Sequence, residues 1–253
     1  MDEMIRRTRE TYNRLAEHYV TTTRVFNETI MHPRIVALAE RFGDPLKGKI
    51  VLDLGCGAGA LMRRVEALGA EEVHGVDISA KLLAIARSEG TLNVRESSMH
   101  NLPFLDGTFN VVLSNFAVHY LDCEGQAQMF REVRRVLRPE GLFVYSTAHP
   151  IFLRFSFRTD EHLRGHPVAD SYFSTQEECS WPCRGESISM IRRDWPDIAN
   201  AVIESGLTLL RLVDADVPEN LEDAARASGS PEVADHIRSF ARNPFGMFVV
   251  ARK

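Results

Sequence analysis

Val51-Leu52-Asp53-Leu54-Gly55-Cys56-Gly57-Ala58-Gly59-Ala60 is the stretch whose reading decides the fold. A short apolar run passes into three glycines at alternate positions. It then enters a segment with Leu61, Val65 and Leu68 on one helical face. Buried strand, glycine-rich turn and helix, in that order, predict the opening βα unit of a doubly wound sheet. Glycine lets the backbone turn sharply and approach a ligand with no Cβ in the way. The N-terminus of the following helix offers free N–H donors to whatever lies against it.

Gly55, Gly57 and Ala60 also satisfy the loose dinucleotide pattern G-x-G-x-x-G/A, so a nicotinamide-dinucleotide enzyme is the first alternative. Two residues count against it. Asp53 would set a negative charge near the pyrophosphate that such turns attract, whereas it suits a ligand with an amino group and a sulfonium. Gly59 is a glycine where dinucleotide binders tolerate a side chain. Downstream, Val73-His74-Gly75-Val76-Asp77-Ile78 predicts a second strand ending in Asp77. A carboxylate at that place can accept both hydroxyls of a ribose.

The strand and helix rhythm continues to His149. Ser79 caps a helix through Leu82, Leu83, Ile85 and Ala86. Leu92–Arg95 and Val111–Leu113 read as strands, Met129–Leu137 as a helix and Leu142–Ser146 as a strand. Upstream, a helix runs through Tyr12 and Tyr19, and another from about Asn27 to Phe42, where Gly43 and Pro45 end it. The rhythm fails between Pro150 and Arg193, a stretch rich in aromatics and arginines. It resumes with a helix over Asp194–Ser205, a strand over Leu207–Val213, a helix over Pro231–Ala241 and a last strand over Phe245–Ala251. One domain is therefore expected: a helical lid over residues 1–45, a core over 46–149, a cap insertion over 150–193 and the rest of the sheet over 194–253.

The chain's 253 residues, 44% hydrophobic and 26% charged, suit such a domain, and no apolar run is long enough to span a membrane. With no leader-like N-terminus, cytoplasmic residence and free thiols are expected. Cys179 and Cys183 form a single C-x3-C pair; zinc wants four ligands, so no metal is expected. The net charge of −5 argues against nucleic acid as a partner.

The ordered motifs resemble the class I S-adenosylmethionine (SAM) dependent methyltransferases, especially the small-molecule and ubiquinone/menaquinone-type enzymes, over about Tyr12–Ala148. The resemblance implies a Rossmann-like, doubly wound α/β sheet of seven strands, mostly parallel with an antiparallel last strand, plus cap elements. It implies SAM as cofactor. Asp53, Gly55, Cys56, Gly57 and Gly59 would cradle its methionine part, and Asp77 with Ile78 its ribose. Ser98 and Met99 would meet the adenine; Ser98 stands where the family usually has Asp. Ser114, Asn115 and Phe116 would lie beside the methyl group, with Tyr19 over the cofactor in the lid. Arg138-Pro139-Glu140-Gly141 would be a turn.

Methyl transfer from a sulfonium is an in-line displacement, so alignment and exclusion of water are the main tasks. His119 is the candidate general base, against the alternative of a histidine that shapes the pocket; His149 is a weaker candidate, read foremost as a turn residue. The expected acceptor is a small molecule with an O, N or C nucleophile. Two rival functions remain at this point. A tRNA or protein methyltransferase should show a basic stripe, and a SAM-binding protein without methyl transfer would share the same motifs.

Overall fold

The structure is a computed structural model and describes residues 3–151, 178–183, 186–215 and 244–253. The expected helix over Pro231–Ala241 and most of the cap insertion lie outside the described residues.

Seven strands form one sheet: β1 (Ile50–Leu54), β2 (Glu72–Asp77), β3 (Val94–Glu96), β4 (Phe109–Ser114), β5 (Leu137–Ala148), β8 (Thr208–Ala215) and β9 (Gly246–Arg252). Their order is β3-β2-β1-β4-β5-β9-β8. β9 runs antiparallel to both its neighbours, and the pairs within β3 to β5 are parallel. The expected sheet, with its antiparallel last strand, is thus the sheet observed.

Both faces are covered, because consecutive strand residues point to opposite sides. Val51, Val111, Leu113, Leu142 and Val144 join one core cluster, packed against α2 (His32–Phe42) and α3 (Ala60–Ala67). Leu52, Val112, Phe143 and Tyr145 join the other, packed against α5 (Cys123–Val136) and α6 (Trp195–Glu204). α4 (Ala80–Ser88) starts at Ser79, whose hydroxyl accepts the Leu82 N–H as read from the sequence.

Two expectations are corrected. The two N-terminal helices are joined: α1 (Glu3–Phe26) runs through a π-helical turn, Asn27–Met31, straight into α2. The stretch around Arg138–Gly141 stays inside β5 as a register shift against β4, not as a free turn. Glu140, not Gly141, takes the left-handed conformation there, at φ 62°. Gly141 is needed for room instead, since a Cβ would meet Arg138 O at 2.8 Å. Within the interruption, β6 (Glu178–Cys183) and β7 (Glu186–Ile191) form an antiparallel hairpin of their own.

Candidate functional site

The sheet order reverses between β1 and β4, and ligands of open α/β sheets bind outside the carboxyl ends of strands at such a point. A cavity lies there. The ends of β1, β2 and β4 form its floor, with Asp53, Gly55, Asp77, Asn115 and Phe116. Residues of α1, among them Tyr12 and Tyr19, form its roof.

The floor is shaped by the glycine turn. Gly55, Gly57 and Gly59 have φ of 71°, 52° and 77°, left-handed values that a side chain strains. A Cβ on Gly55 would strike Ala117 Cβ at 2.5 Å, whereas one on Gly57 would meet nothing nearer than Leu82 at 4.0 Å. Gly57 thus leaves open a space that a side chain would fill. Gly59 has a different duty. It caps α3 with Thr91 Oγ1 only 2.7 Å from where its Cβ would be, and it does not line the cavity. Cys56 turns its buried thiol towards Gly75.

Two carboxylates face this cavity in different states. Asp77 is anchored: Oδ2 accepts the Gly57 N–H at 2.9 Å and Oδ1 the Ser79 N–H at 2.8 Å. Burial pushes its pKa up, and the N–H donors of Ser79, Gly57 and Ile78 pull it back. Asp53 is 2% exposed, and its Oδ1 has no hydrogen-bond partner among the described residues. Burial, then the charge of Asp77, pushes its pKa up to about 8. A buried carboxyl in this state is stabilised by any cation that enters beside it.

The roof is tied to the floor. Asn13 Oδ1 on α1 accepts the Ser79 hydroxyl at 2.8 Å and the Lys81 N–H at 3.2 Å. Tyr12 packs edge-on against Tyr19, with ring centroids 5.0 Å apart. Its hydroxyl lies 2.5 Å from that of Tyr120, in the 3-10 turn Val118–Tyr120 after β4. Burial, with the charge of Asp77 beneath, raises Tyr19 to about 12 and raises Tyr120 further. These rings are therefore neutral hydrogen-bonding walls. Further out, Arg14 pairs with Glu186 of β7 at 2.7 Å, and Arg24 with Glu89 at 2.6 Å.

At the β3 end, Ser97, Ser98 and Met99 line the cavity. Ser98 Oγ accepts the His100 N–H at 3.3 Å, which leaves its own O–H to donate elsewhere. At the β4 end a polar chain sets the wall. Asn115 Nδ2 donates to Asn27 Oδ1 at 3.1 Å, and the Ser146 hydroxyl donates to Asn115 Oδ1 at 2.8 Å. Ser146 Oγ in turn accepts the Phe116 N–H at 2.9 Å. That bond holds Phe116 at φ 52°, a conformation that costs a non-glycine residue about 1–3 kcal/mol and that clusters at functional sites.

Of the residues singled out from sequence, Tyr19, Asp53, Gly55, Cys56, Gly57, Asp77, Ile78, Ser98, Met99, Asn115 and Phe116 line this one cavity. Gly59, Ser114 and His119 do not. Ser114 gives its hydroxyl to Leu54 O at 2.8 Å and so bolts β4 to β1. His119 is 3% exposed and stands behind Tyr120 and Phe116, with ring centroids 4.3 and 5.9 Å away. Burial, then the charge of Arg193, pushes its pKa down to about 3. His149, just past β5, accepts the Ile151 N–H on Nδ1 at 3.1 Å and turns Nε2 towards Asp214 of β8, 3.4 Å away. Nδ1 thus serves the turn, while the buried Nε2 makes no hydrogen bond among the described residues.

Sequence reasoning missed Asn13, Asn27 and Tyr120. Asn13 and Asn27 sit on helical segments with no motif around them, and the part of all three is set by a partner remote in sequence. No group of three or more metal-ligating side chains occurs among the described residues; the side chains of Cys179 and Cys183 lie outside them.

The donor set fits SAM. Buried Asp53 lacks a cationic partner and SAM brings an amino group. The turn at Gly57 leaves room for backbone approach, and anchored Asp77 retains acceptor capacity for a ribose. Comparison with known proteins agrees. Residues 51–141 match a family described as a methyltransferase domain. A malonyl-[acyl-carrier protein] O-methyltransferase of Pectobacterium atrosepticum is 34% identical over 101 residues, which cover 40% of this chain and 39% of that one. A dimethylglycine N-methyltransferase of Parasynechococcus marenigrum is 33% identical over 111 residues, 41% of this chain and 39% of that one. This chain thus spans less than half the length of these two curated relatives. The structure of a SAM-dependent methyltransferase from Mesorhizobium loti superposes with a TM-score of 0.64 at 27% identity, covering 87% of this chain and 96% of that one. Motif order, sheet order and cavity lead to one place: residues 51–141 form a methyltransferase domain, and the fold is the Rossmann-like one of SAM-dependent methyltransferases.

Proposed function

We propose that the protein transfers the methyl group of SAM to an O, N or C nucleophile of a small-molecule acceptor. The observation that carries this reading is Asp53, buried without a cationic partner beside the glycine turn in the switch-point cavity. The turn and Asp53 would hold the amino-acid end of SAM, and Asp77 the ribose. Ser98 and Met99 would take the adenine, with Asn115 and Phe116 beside the reacting carbon.

When bound, SAM supplies a methyl carbon already activated by a positive sulfur. What the chain adds is alignment, and holding reactants in near-attack geometry can lower a barrier by about 7–11 kcal/mol. We read residues 1–45 as a lid over 46–149, with 150–193 a cap and 194–253 the remainder of the sheet. The tyrosines of α1 and Tyr120 exclude water from above. His119, held neutral behind Phe116 and Tyr120, acts foremost by shaping the acceptor side, since an imidazole with so low a pKa draws a proton weakly.

A small acceptor is supported by a cavity roofed by the chain's own helix and by the net charge of −5. The names of the relatives include both an O- and an N-methyltransferase and do not choose the acceptor atom. No helix among the described residues is long and apolar enough to cross a membrane; cytoplasmic residence belongs to the same proposal.

Calorimetric titration with SAM, S-adenosylhomocysteine and NAD tests the reading. Micromolar binding of both adenosyl ligands (about −8 kcal/mol) without NAD binding is expected. NAD binding alone would return the glycine turn to the dinucleotide enzymes. Turnover of SAM in an acceptor screen separates an enzyme from a mere SAM binder.

A further inference from the structure

Behind the turn that closes the cavity at Tyr120 and Leu121, three buried polar atoms have no hydrogen-bond partner among the described residues. They are Nδ1 of His119, the hydroxyl of Tyr145 on β5, and Nε of Arg193 between β7 and α6. Their residues are 3%, 0% and 5% exposed. Buried polar atoms are paired in the great majority of cases, so three orphans around one charge call for a cause.

The charge is that of Arg193, which acts on both His119 and Tyr145. Its Nη2 donates to Leu121 O, and the thiol of Cys123 lies against it. No carboxylate forms an ion pair with it among the described residues. Asp197, in the first turn of α6, is the acid whose charge reaches it, and one Asp197 oxygen is already taken by the Asp194 N–H at 3.2 Å. A buried guanidinium left to a carbonyl is costly. A trapped water would satisfy the hydroxyl and Nε yet leave the positive charge unmet. An oxyanion meets all of it: Nε and Nη form a planar fork for carboxylate or phosphate oxygens. The Tyr145 hydroxyl adds a neutral donor, and neutral His119 adds another when its proton sits on Nδ1.

We propose that Arg193, with Tyr145 and His119, forms the subsite for an oxyanion, a carboxylate or a phosphate, carried by the acceptor. The subsite lies one side chain behind the cavity wall, since Leu121 and Tyr120 line the cavity and Arg193 and His119 stand on those two residues. It adjoins the end of β4, where Tyr145 pairs in register with Ser114. The acceptor is thereby an organic anion. The inference rests on the methyltransferase reading for its meaning, though not for its detection.

The test uses the full chain loaded with S-adenosylhomocysteine and titrated separately with acetate, butyrate and inorganic phosphate, with chloride at equal ionic strength as control. Thermal shift and calorimetry are the readouts. A saturable response to an oxyanion, absent with chloride, is expected, and whether acetate and butyrate or phosphate produce it assigns the source. Arg193→Gln should weaken it about tenfold, the scale of a charge-assisted hydrogen bond. Arg193→Lys should retain part of it. Tyr145→Phe removes a hydroxyl with no partner in the fold, so it should weaken anion binding without lowering the melting temperature. It decides the matter if the Arg193 variants do not fold. Equal responses to chloride and oxyanions, or a saturable response unchanged in Tyr145→Phe and in folded Arg193→Gln, would overturn the subsite. Failure of S-adenosylhomocysteine to bind would instead strike the methyltransferase reading, and loss of anion binding alone strikes only this one.

Discussion

Asp77 Oδ2 accepts the backbone N–H of Gly57 at 2.9 Å, so the acid ending β2 holds the glycine turn that follows β1. One carboxylate thus shapes the turn and faces the cavity, and the two effects can be separated. Asp77→Asn keeps an oxygen for one N–H and loses the charge; Asp77→Ala orphans the N–H groups of both Gly57 and Ser79. The alanine variant should lose about 1–3 kcal/mol of stability and the asparagine variant less. Both should bind S-adenosylhomocysteine at least about tenfold more weakly, as one lost charge-assisted bond implies. Near-normal affinity in calorimetry would remove Asp77 from ribose binding.

Asp53 gives a pH signature. Its folded pKa of about 8 lies above the ordinary 3.8, so the unfolded chain loses this proton first as pH rises. Its contribution to stability is therefore fully present below pH 4 and declines up to about pH 8. Asp53→Asn should melt progressively higher than wild type over that window. A cation binding beside the carboxylate reverses the sense: affinity for the adenosyl ligand should rise with pH towards 8, with proton release below it. Parallel melting curves for the two proteins from pH 5 to 8 would refute the assignment.

Gly55 meets both a backbone and a space requirement. Gly55→Ala should be destabilised by about 1–3 kcal/mol, because φ is 71° and the new Cβ would lie 2.5 Å from Ala117 Cβ. Ala117→Gly in the same chain should recover part of that loss, since the clash is relieved and the left-handed backbone remains. Denaturant unfolding of the single and double variants measures the split, and no recovery would mean the backbone term is everything.

His119, at a pKa of about 3, is already neutral throughout the working range. The rate profile should therefore show no ascending limb near pH 6.5 that vanishes in His119→Gln. That variant should lower kcat/KM by less than about tenfold, below the 10²–10⁴ typical of a lost general base. A hundredfold fall with a flattened pH profile would restore the base role.

How much of this was legible beforehand follows from the range of each interaction. β1, the glycine turn, Asp77 and the cap at Ser79 are local patterns, and they appear in the structure where the sequence puts them. Gly59 and Ser114 belong to the motif yet point away from the cavity, because a motif marks a turn without saying which atoms face in. Thr91 beneath Gly59 and Leu54 beside Ser114 decide that. His119 looked like a base from its residue type and from the place the resemblance gives it; its burial and Arg193 come from packing that no local window contains. Asn27 likewise owes its place to Asn115, far along the chain, and the π-helical turn at its position broke no periodicity strong enough to notice.

Phe26 and Phe245 meet edge to face with ring centroids 4.7 Å apart, and Phe116 leans on both. A ribosome delivers Phe26 early and Phe245 late, with nearly the whole sheet made in between. Gly246 admits the Phe116 ring, since a Cβ there would lie 2.8 Å from its Cζ. The Phe116 side of the cavity is therefore completed only once Phe245 has been made, well after the glycine turn. During synthesis the glycine turn can be in place while the opposite wall is still missing, so a nascent chain should gain affinity for the adenosyl ligand before it can hold an acceptor.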